Sequence, residues 1–157
     1  MRVLTRRTIL VGGAGLIVSP VLAQQPAGSA AMIVHKDPNC GCCSGWVEHV
    51  RAAGFEAKVV EMNDLAPLKT RLGIPGHLGS CHTAEIGGYV VEGHVPAPAI
   101  KRLLSERPTA IGLTVPGMPV GSPGMEVSGS PNERYEVILF GPSGERSFGR
   151  FVGLREL

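Results

Sequence analysis

The sequence has no long apolar run, only four cysteines, and no excess of basic charge beyond its first residues. The apolar run Ile9–Val18 is too short and too rich in glycine for a membrane span, which needs about 20 apolar residues. The whole chain carries a net charge of +2, from fifteen basic and thirteen acidic residues. Residues 1–23 hold three arginines and no acid, so the remainder has twelve basic and thirteen acidic residues, a net charge of −1. Nothing in that remainder indicates a nucleic acid or an anionic membrane as partner.

The first 23 residues have the layout of an export signal. Arg2, Arg6 and Arg7 precede the apolar run, and Val21-Leu22-Ala23 offers a cleavage site. Paired arginines before an apolar run are typical of twin-arginine signals, which export folded proteins; an ordinary secretory signal is the alternative. We predict cleavage near Ala23 and a periplasmic mature protein without a stable membrane span. A flexible leader over residues 24–31 then precedes one domain over 32–157, long enough to bury its own core.

Hydrophobic periodicity predicts alternating strands and helices in that domain. The predicted elements, in order, are a strand at Met32–His35, a helix at Ser44–Ala53, a strand at Phe55–Met62, a helix through Leu65, Leu68 and Leu72, a hairpin of Thr83–Ile86 and Tyr89–Glu92, and a helix at Pro96–Glu106. With a cysteine loop after the first strand, this order predicts an α/β thioredoxin-like fold, a central mixed sheet flanked by helices.

The remainder of the chain has a different composition. Residues Thr109–Asn132 are dominated by Gly, Pro, Ser and Met, so we predict a long loop without regular elements. A loop of this length in a compact domain is usually functional or disordered. Tyr135–Phe140 and Ser147–Val152 then predict a C-terminal β-hairpin around Gly141-Pro142-Ser143-Gly144.

Three of the four cysteines lie within four residues, as Cys40-Gly41-Cys42-Cys43, and Cys81 follows alone. Several thiolates together suit a soft metal ion. Two ordinary disulfides are the alternative, although adjacent Cys42 and Cys43 would then have to reach different partners under the tight geometry of the bond. The cluster should lie at the N-terminus of a helix, which favours thiolate. Because thiolate both binds metal and attacks disulfides, that position does not separate the two functions.

Three features favour metal. Cys42 has no role in a mechanism with one attacking and one resolving sulfur, and Cys81 precedes the third strand, where a thioredoxin-type fold faces the cysteine loop. Met118 and Met125 lie in the Gly/Pro loop, and thioether and thiolate ligands together select Cu(I). His82, next to Cys81, is the best imidazole candidate.

The other histidines are predicted to play lesser parts. His35 and His77 should line the site, and His49 should occupy a solvated helix face. His94, in Glu92-Gly93-His94-Val95-Pro96, is predicted to cap or brace the helix that follows.

Longer motifs resemble a known family. They are Cys40-Gly41-Cys42-Cys43 with Trp46, then Ser80–Ala84, Gly88–Ala97 and Val115–Glu126. These strings are similar to the DUF411 metal-binding family, which includes CopG-type periplasmic copper-resistance proteins. The resemblance implies a thioredoxin-like fold, periplasmic residence, and copper held by the clustered cysteines, as one or several ions. It also implies a role in copper redox chemistry.

The sequence therefore predicts a periplasmic copper-binding protein that sequesters or redox-buffers Cu(I), with a binding role favoured over enzymatic activity. The predicted ligands are Cys40, Cys42, Cys43, Cys81, His82, Met118 and Met125. Its predicted partners are copper ions and other periplasmic copper-handling proteins. Two alternatives remain: a thiol–disulfide oxidoreductase in which Cys40 attacks and Cys43 resolves, and a structural zinc protein.

Overall fold

The structure is a computed structural model and describes residues 31–157. The predicted export signal and residues 24–30 of the predicted leader lie outside the described residues. The elements are β1 (Ala31–Lys36), α1 (Gly41–Ala52), β2 (Glu56–Glu61), α2 (Ala66–Arg71), a single 3-10 turn (Gly76–Leu78), β3 (His82–Ile86), β4 (Tyr89–Glu92), α3 (Ala97–Glu106), β5 (Gly112–Thr114), β6 (Arg134–Gly141), β7 (Gly144–Val152) and β8 (Arg155–Glu156).

Hydrophobic spacing explains the first half of the chain. In β1, buried Met32 and Val34 alternate with exposed neighbours, as expected for a strand. In α1, Trp46, Val47 and Val50 share the buried face, as their helical spacing predicted. The helix ends before a glycine in the left-handed region, where a side chain would be strained.

Within residues 31–157 the strands form one open, mixed sheet in the order β2-β1-β3-β4-β5-β6-β7-β8. Strand β1 pairs with β2 in parallel and with β3 antiparallel, and β4 pairs with β5 in parallel. The remaining pairs are antiparallel. The fold is therefore mixed α/β, and the C-terminal hairpin β6–β7 continues the sheet that carries the cysteine-bearing elements.

Two apolar clusters stabilise the sheet. The larger one joins β1, α1, α3 and the C-terminal strands and includes Trp46, Ile100 and Phe151. The smaller one includes Val90 and Phe140. Val90 and Phe140 are each adjacent in sequence to a member of the larger cluster. Because adjacent residues of a strand point to opposite faces, the smaller cluster lies on the other face of the sheet.

Two predicted boundaries are corrected. The long loop predicted over Thr109–Asn132 contains β5, which is too short for its period to be recognised. At Gly112 an added Cβ would lie 1.8 Å from the Val90 carbonyl oxygen, so glycine here permits close strand pairing. Helix α1 begins at Gly41 rather than at Ser44, so Cys42 and Cys43 belong to its first turn.

A search of residues 31–157 finds no helix with the length and hydropathy that a bilayer crossing requires.

Candidate metal centre

The first turn of α1 carries three of the four sulfur atoms. Cys40 is the N-cap residue, and Cys42 and Cys43 follow within the turn. No side chain caps this helix end and its first turn holds no acidic residue, so the free N–H groups and the positive end of the helix dipole face the sulfur atoms. Cys40 and Cys43 are joined in a disulfide, while Cys42 is a free, half-buried thiol.

The fourth sulfur comes from Cys81, the residue directly before β3. Cys42 Sγ lies 3.4 Å from Cys40 Sγ and 3.9 Å from Cys81 Sγ. Cys43 Sγ lies 3.7 Å from the carbonyl oxygen of Cys81. All four sulfur atoms lie within 4.8 Å of one another. The structure thus brings the four cysteines together, and their ligation of a metal stays a prediction.

Two buried histidines adjoin the cluster on the β3–β4 side. Cys81 Sγ lies 3.4 Å from His82 Nδ1 and 3.0 Å from His94 Nε2. These three ligand atoms form a second group within 4.8 Å, with both imidazoles fully buried. The ring of Trp46 packs on His82 with centroids 4.4 Å apart, and the Trp46 indole N–H donates to the Val95 carbonyl at 2.9 Å. The Trp46 ring, held by the Val95 carbonyl, therefore fixes the position of the His82 ring.

The protonation of His94 follows from its second partner. Its Nδ1 lies 2.8 Å from the Pro123 carbonyl oxygen, which can only accept a hydrogen bond. Nδ1 therefore carries the proton, and in the neutral ring the Nε2 lone pair points to Cys81. Histidines that bind metals commonly donate their other N–H to a backbone carbonyl in this way. His82 Nε2, by contrast, is buried without a hydrogen-bond partner among residues 31–157.

Burial sets the protonation states of this side of the centre. Burial, with the neighbouring Cys42 as a second cause, raises the pKa of Cys81 to about 12, so its thiol is protonated at neutral pH. Burial also holds the pKa of His82 well below its usual range, and the positive charge of Lys69 adds to the effect. The pKa of His94 is lowered by burial, against the opposing hydrogen bond to Pro123. Both imidazoles are therefore neutral, the form that binds metal.

The Gly/Pro/Met loop between β5 and β6 covers the centre. Ser80 Oγ donates to the carbonyl of Gly117 at 2.6 Å, which ties the loop next to Cys81. Further along, Gly124 lies against α1, where an added Cβ would come within 2.5 Å of the Cys42 carbonyl oxygen. Met118, directly after Gly117, is 52% exposed, and Met125, directly after Gly124, is half-buried. Ligation by either methionine stays a prediction.

Sequence reasoning misplaced four histidines. His49, predicted on a solvated face, is half-buried, and its Nε2 accepts the Ala97 N–H at 3.0 Å at the start of α3. His94, predicted to cap or brace that helix, faces Cys81 instead. His35 and His77, predicted to line the site, contact Glu85 and Glu145 respectively.

The position of His94 opposite Cys81 could have been predicted from the register of the β3–β4 hairpin. Ile86 pairs with Tyr89 across the Gly87-Gly88 turn, and Thr83 pairs with Glu92. Extending the same pairing by two residues sets Cys81 opposite His94. A hairpin with a two-residue turn fixes this register from sequence alone.

The fold and the cluster together define an α/β protein with a thiol-rich candidate metal centre. A family model described as "Protein of unknown function, DUF411" matches residues 78–125, which include Cys81, His82 and His94. A solved structure named copper resistance protein CopG, form 2, is 44% identical, with a TM-score of 0.74 over 78% of this chain and 98% of its own. Form 1 of that protein is 45% identical, with a TM-score of 0.72 and the same coverage. The comparison with curated proteins finds no match.

The chain belongs to the DUF411 family of CopG-type proteins, which confirms the resemblance seen in its motifs.

Proposed function

We propose that this protein binds Cu(I) through Cys40, Cys42, Cys43 and Cys81 and thereby serves copper resistance in the periplasm. The observation that carries the proposal is the convergence of four sulfur atoms, from two separate elements, within 4.8 Å. Thiolates are soft ligands that select Cu(I) among common ions. Two solved structures that are similar to this chain bear the name of a copper resistance protein, which supports the same function.

Reduction of the Cys40–Cys43 disulfide is a condition of this site. A disulfide sulfur is not a thiolate, so the oxidised protein offers two free thiols and the reduced protein offers four. With four thiolates so close together, one sulfur can bridge two ions, so the site is suited to several copper ions. Copper is the cargo, which the protein sequesters or redox-buffers, and other periplasmic copper-handling proteins are its partners.

The neighbouring side chains complete the proposed ligand set. The neutral imidazoles of His82 and His94 lie against Cys81 and add nitrogen donors. Met118 and Met125 lie on the loop that is bonded beside Cys81 and packed on α1, so their thioethers are the proposed entry ligands.

Titration with Cu(I) tests the proposal. Fully reduced protein and disulfide-bonded protein are each titrated against a chromogenic Cu(I) chelator, and Zn(II) is titrated in parallel. We expect reduced protein to bind at least about 100-fold more tightly than oxidised protein, because two thiolates are lost on oxidation. Equal affinity in the two states would contradict the proposal. Zn(II) bound in preference to Cu(I), together with unfolding on its removal, would favour the structural zinc alternative.

A thiol–disulfide oxidoreductase is the second candidate, and the Cys40–Cys43 disulfide at a helix N-terminus favours it. Cys42→Ser separates the two. For copper binding, Cys42 is a central ligand, so its loss should weaken Cu(I) binding. For disulfide exchange, Cys40 and Cys43 remain, so turnover with a disulfide substrate should largely survive. A circular dichroism spectrum matching wild type is the control for folding.

The thioredoxin-like fold is proposed for residues 31–106. A parallel β1–α1–β2 unit is joined through α2 to the antiparallel hairpin β3–β4, with α3 after it. The cysteines at the start of α1 and before β3 fit that topology. The strands from β5 onward extend the sheet beyond it.

Export by the twin-arginine route is proposed from Arg6 and Arg7. Replacing both with lysine should abolish periplasmic accumulation, measured by fractionation and immunoblotting. Unchanged accumulation would indicate the general secretory route, and protein confined to the cytoplasm in wild-type cells would contradict export itself.

A further inference from the structure

A charged pair lies beside the centre, outside the ligand set, with one partner fully buried and the other 19% exposed. Glu92, the last residue of β4, is fully buried. Its carboxylate accepts the Ser80 backbone N–H at 2.6 Å and the Thr83 hydroxyl at 2.6 Å. It also forms an ion pair with Lys69 of α2. Both carboxylate oxygens are therefore occupied by donors from three different segments.

Lys69 completes the network from the other side. Its Nζ donates to the Ser80 carbonyl at 3.0 Å and to Thr83 Oγ1 at 3.0 Å. The N–H of Ser80 is thus held by Glu92 and its C=O by Lys69. That carbonyl belongs to the peptide group that joins Ser80 to Cys81, so its orientation sets the direction in which the Cys81 side chain leaves the backbone.

Stability alone does not account for an ion pair in which the carboxylate is fully buried and the ammonium partly buried. Removing two charges from water costs free energy that their attraction often fails to recover, and an apolar pair of similar size is frequently as stable. Charge-assisted hydrogen bonds, however, are short and directional. The network consists of such bonds, and apart from the contact between Lys69 and Glu92 themselves they all converge on Ser80 and Thr83, the residues that flank Cys81 and His82.

We propose that Glu92 and Lys69 are positioning residues, which orient the Ser80–Cys81 peptide so that Cys81 Sγ lies opposite Cys42 and against His94. The proposal rests on the copper function proposed above. A metal site requires its ligand atoms to be held to about 0.5 Å, and the supporting hydrogen bonds supply that precision. Cys81 Sγ is 3.9 Å from Cys42 Sγ and 3.0 Å from His94 Nε2, so a small rotation of this peptide would break both contacts.

The test measures thiol placement without copper. In a Cys40→Ser/Cys43→Ser parent, Cys42 and Cys81 are the remaining cysteines. Oxidised glutathione converts their two thiols into a disulfide and is itself reduced to two molecules of glutathione. The equilibrium constant of this exchange is the effective concentration of one thiol at the other, a quantity that depends on their relative placement. Glu92→Gln/Lys69→Met is then added, which removes both charges together and leaves neither unpaired.

We expect the effective concentration to fall at least tenfold in that variant, measured where it is fully folded by circular dichroism. Tyr135→Phe is the matched control, since it removes a different buried hydrogen bond, to the Gly153 carbonyl at the far end of the sheet, and should leave the value unchanged. Thr83→Val removes the hydroxyl that bonds Glu92 and Lys69 but keeps both charges, so the effective concentration should fall by less. It serves as the test variant if the double replacement does not fold.

An unchanged effective concentration in the charge-free variant or, in its place, in Thr83→Val would overturn the proposal. So would a parent in which no Cys42–Cys81 disulfide forms, since Cys81 would then not be held opposite Cys42. The four-cysteine protein carrying Glu92→Gln/Lys69→Met, or Thr83→Val in its place, should also bind Cu(I) more weakly than wild type. If wild type itself binds no Cu(I), the copper function fails, while the glutathione measurement still decides the role of the ion pair.

Discussion

The candidate centre is built from two regions, the first turn of α1 and the β3–β4 hairpin, and these hold their ligand atoms in different ways. The α1 side carries three sulfur atoms at a helix end without a side-chain cap, two of them joined in a disulfide. The hairpin side carries one sulfur, which lies against two buried imidazoles and next to the Lys69–Glu92 ion pair. Oxidation and reduction therefore change the sulfur ligands on the α1 side, while the sulfur and imidazoles on the hairpin side keep their positions.

Loss of the single hairpin sulfur should have the largest effect. We expect Cys81→Ser to lower Cu(I) affinity more than the roughly 10–100-fold that follows loss of an outer-sphere partner, because a direct soft ligand is removed. Competition with a Cu(I) chelator measures it. Unchanged affinity would show that the α1 side binds copper by itself and that the hairpin contributes no sulfur ligand.

His94 and His49 form a matched pair for the next test. His94→Ala removes an imidazole of the proposed ligand set, a donor less soft than thiolate, so we expect Cu(I) affinity to fall at least about tenfold but less than in Cys81→Ser. His49→Ala removes a contact at the start of α3 and should lower the free energy of unfolding by about 1 kcal/mol without changing copper affinity. Thermal unfolding and chelator competition on both variants give the comparison. Equal copper affinities would reduce His94 to a structural role.

Gly124 tests how closely the covering loop must approach the α1 side. Gly124 and Gly88 have positive φ angles of 85° and 87°, so alanine is strained by about 1–2 kcal/mol at either position. Of these two glycines, Gly124 lacks space for a Cβ, which would clash with the Cys42 carbonyl oxygen and the Trp46 backbone nitrogen, whereas Gly88 has open space. We therefore expect Gly124→Ala to lose more stability than Gly88→Ala, and to weaken Cu(I) binding several-fold. Equal losses in urea denaturation would show that the loop can shift without consequence.

The proton released from Cys81 predicts a pH dependence of copper binding. Its pKa of about 12 keeps the thiol protonated through neutral pH, so metal binding must displace that proton. Copper affinity should accordingly rise with pH, by about tenfold per pH unit from this group. In the metal-free protein, folding stability changes with pH in the opposite direction. Because the pKa of Cys81 is raised in the folded state, this thiol stabilises the folded protein fully below the ordinary thiol pKa of about 8.5. This contribution is lost as the pH rises toward 12.

Calorimetry in buffers of different ionisation enthalpy counts the protons released on binding. Cys81→Ser should release about one proton fewer than wild type. The same count in both proteins would show that Cys81 does not exchange its proton for copper.

Local patterns were sufficient for part of this structure. The spacing of Trp46, Val47 and Val50 predicted α1, and the glycine pair Gly87-Gly88 predicted the β3–β4 hairpin. These features depend on neighbours within a few residues. The family was also recognisable, because its motifs are long.

Features that depend on distant partners were not predictable in the same way. Strand β5 has three residues and is defined by its pairing with β4 and β6, which no local period records. The network of Lys69 and Glu92 joins residues 23 positions apart, and a lone Lys and Glu in sequence are usually solvated. His49 and His94 were misassigned because a helix cap can come from another helix as readily as from the preceding residue.

The pairing of β5 with β6 has a further consequence for the loop between them. Thr114 pairs with Ile138, so residues 115–133 begin and end on adjacent strands of the same sheet. Closing a loop of this length costs conformational entropy, and here that cost is met when the sheet forms. The two ends of the loop that covers the centre are therefore already fixed by strand pairing in the metal-free protein. Under the proposed function, Cu(I) binding then has less disorder to remove, and the closed loop limits how far Met118 and Met125 can move.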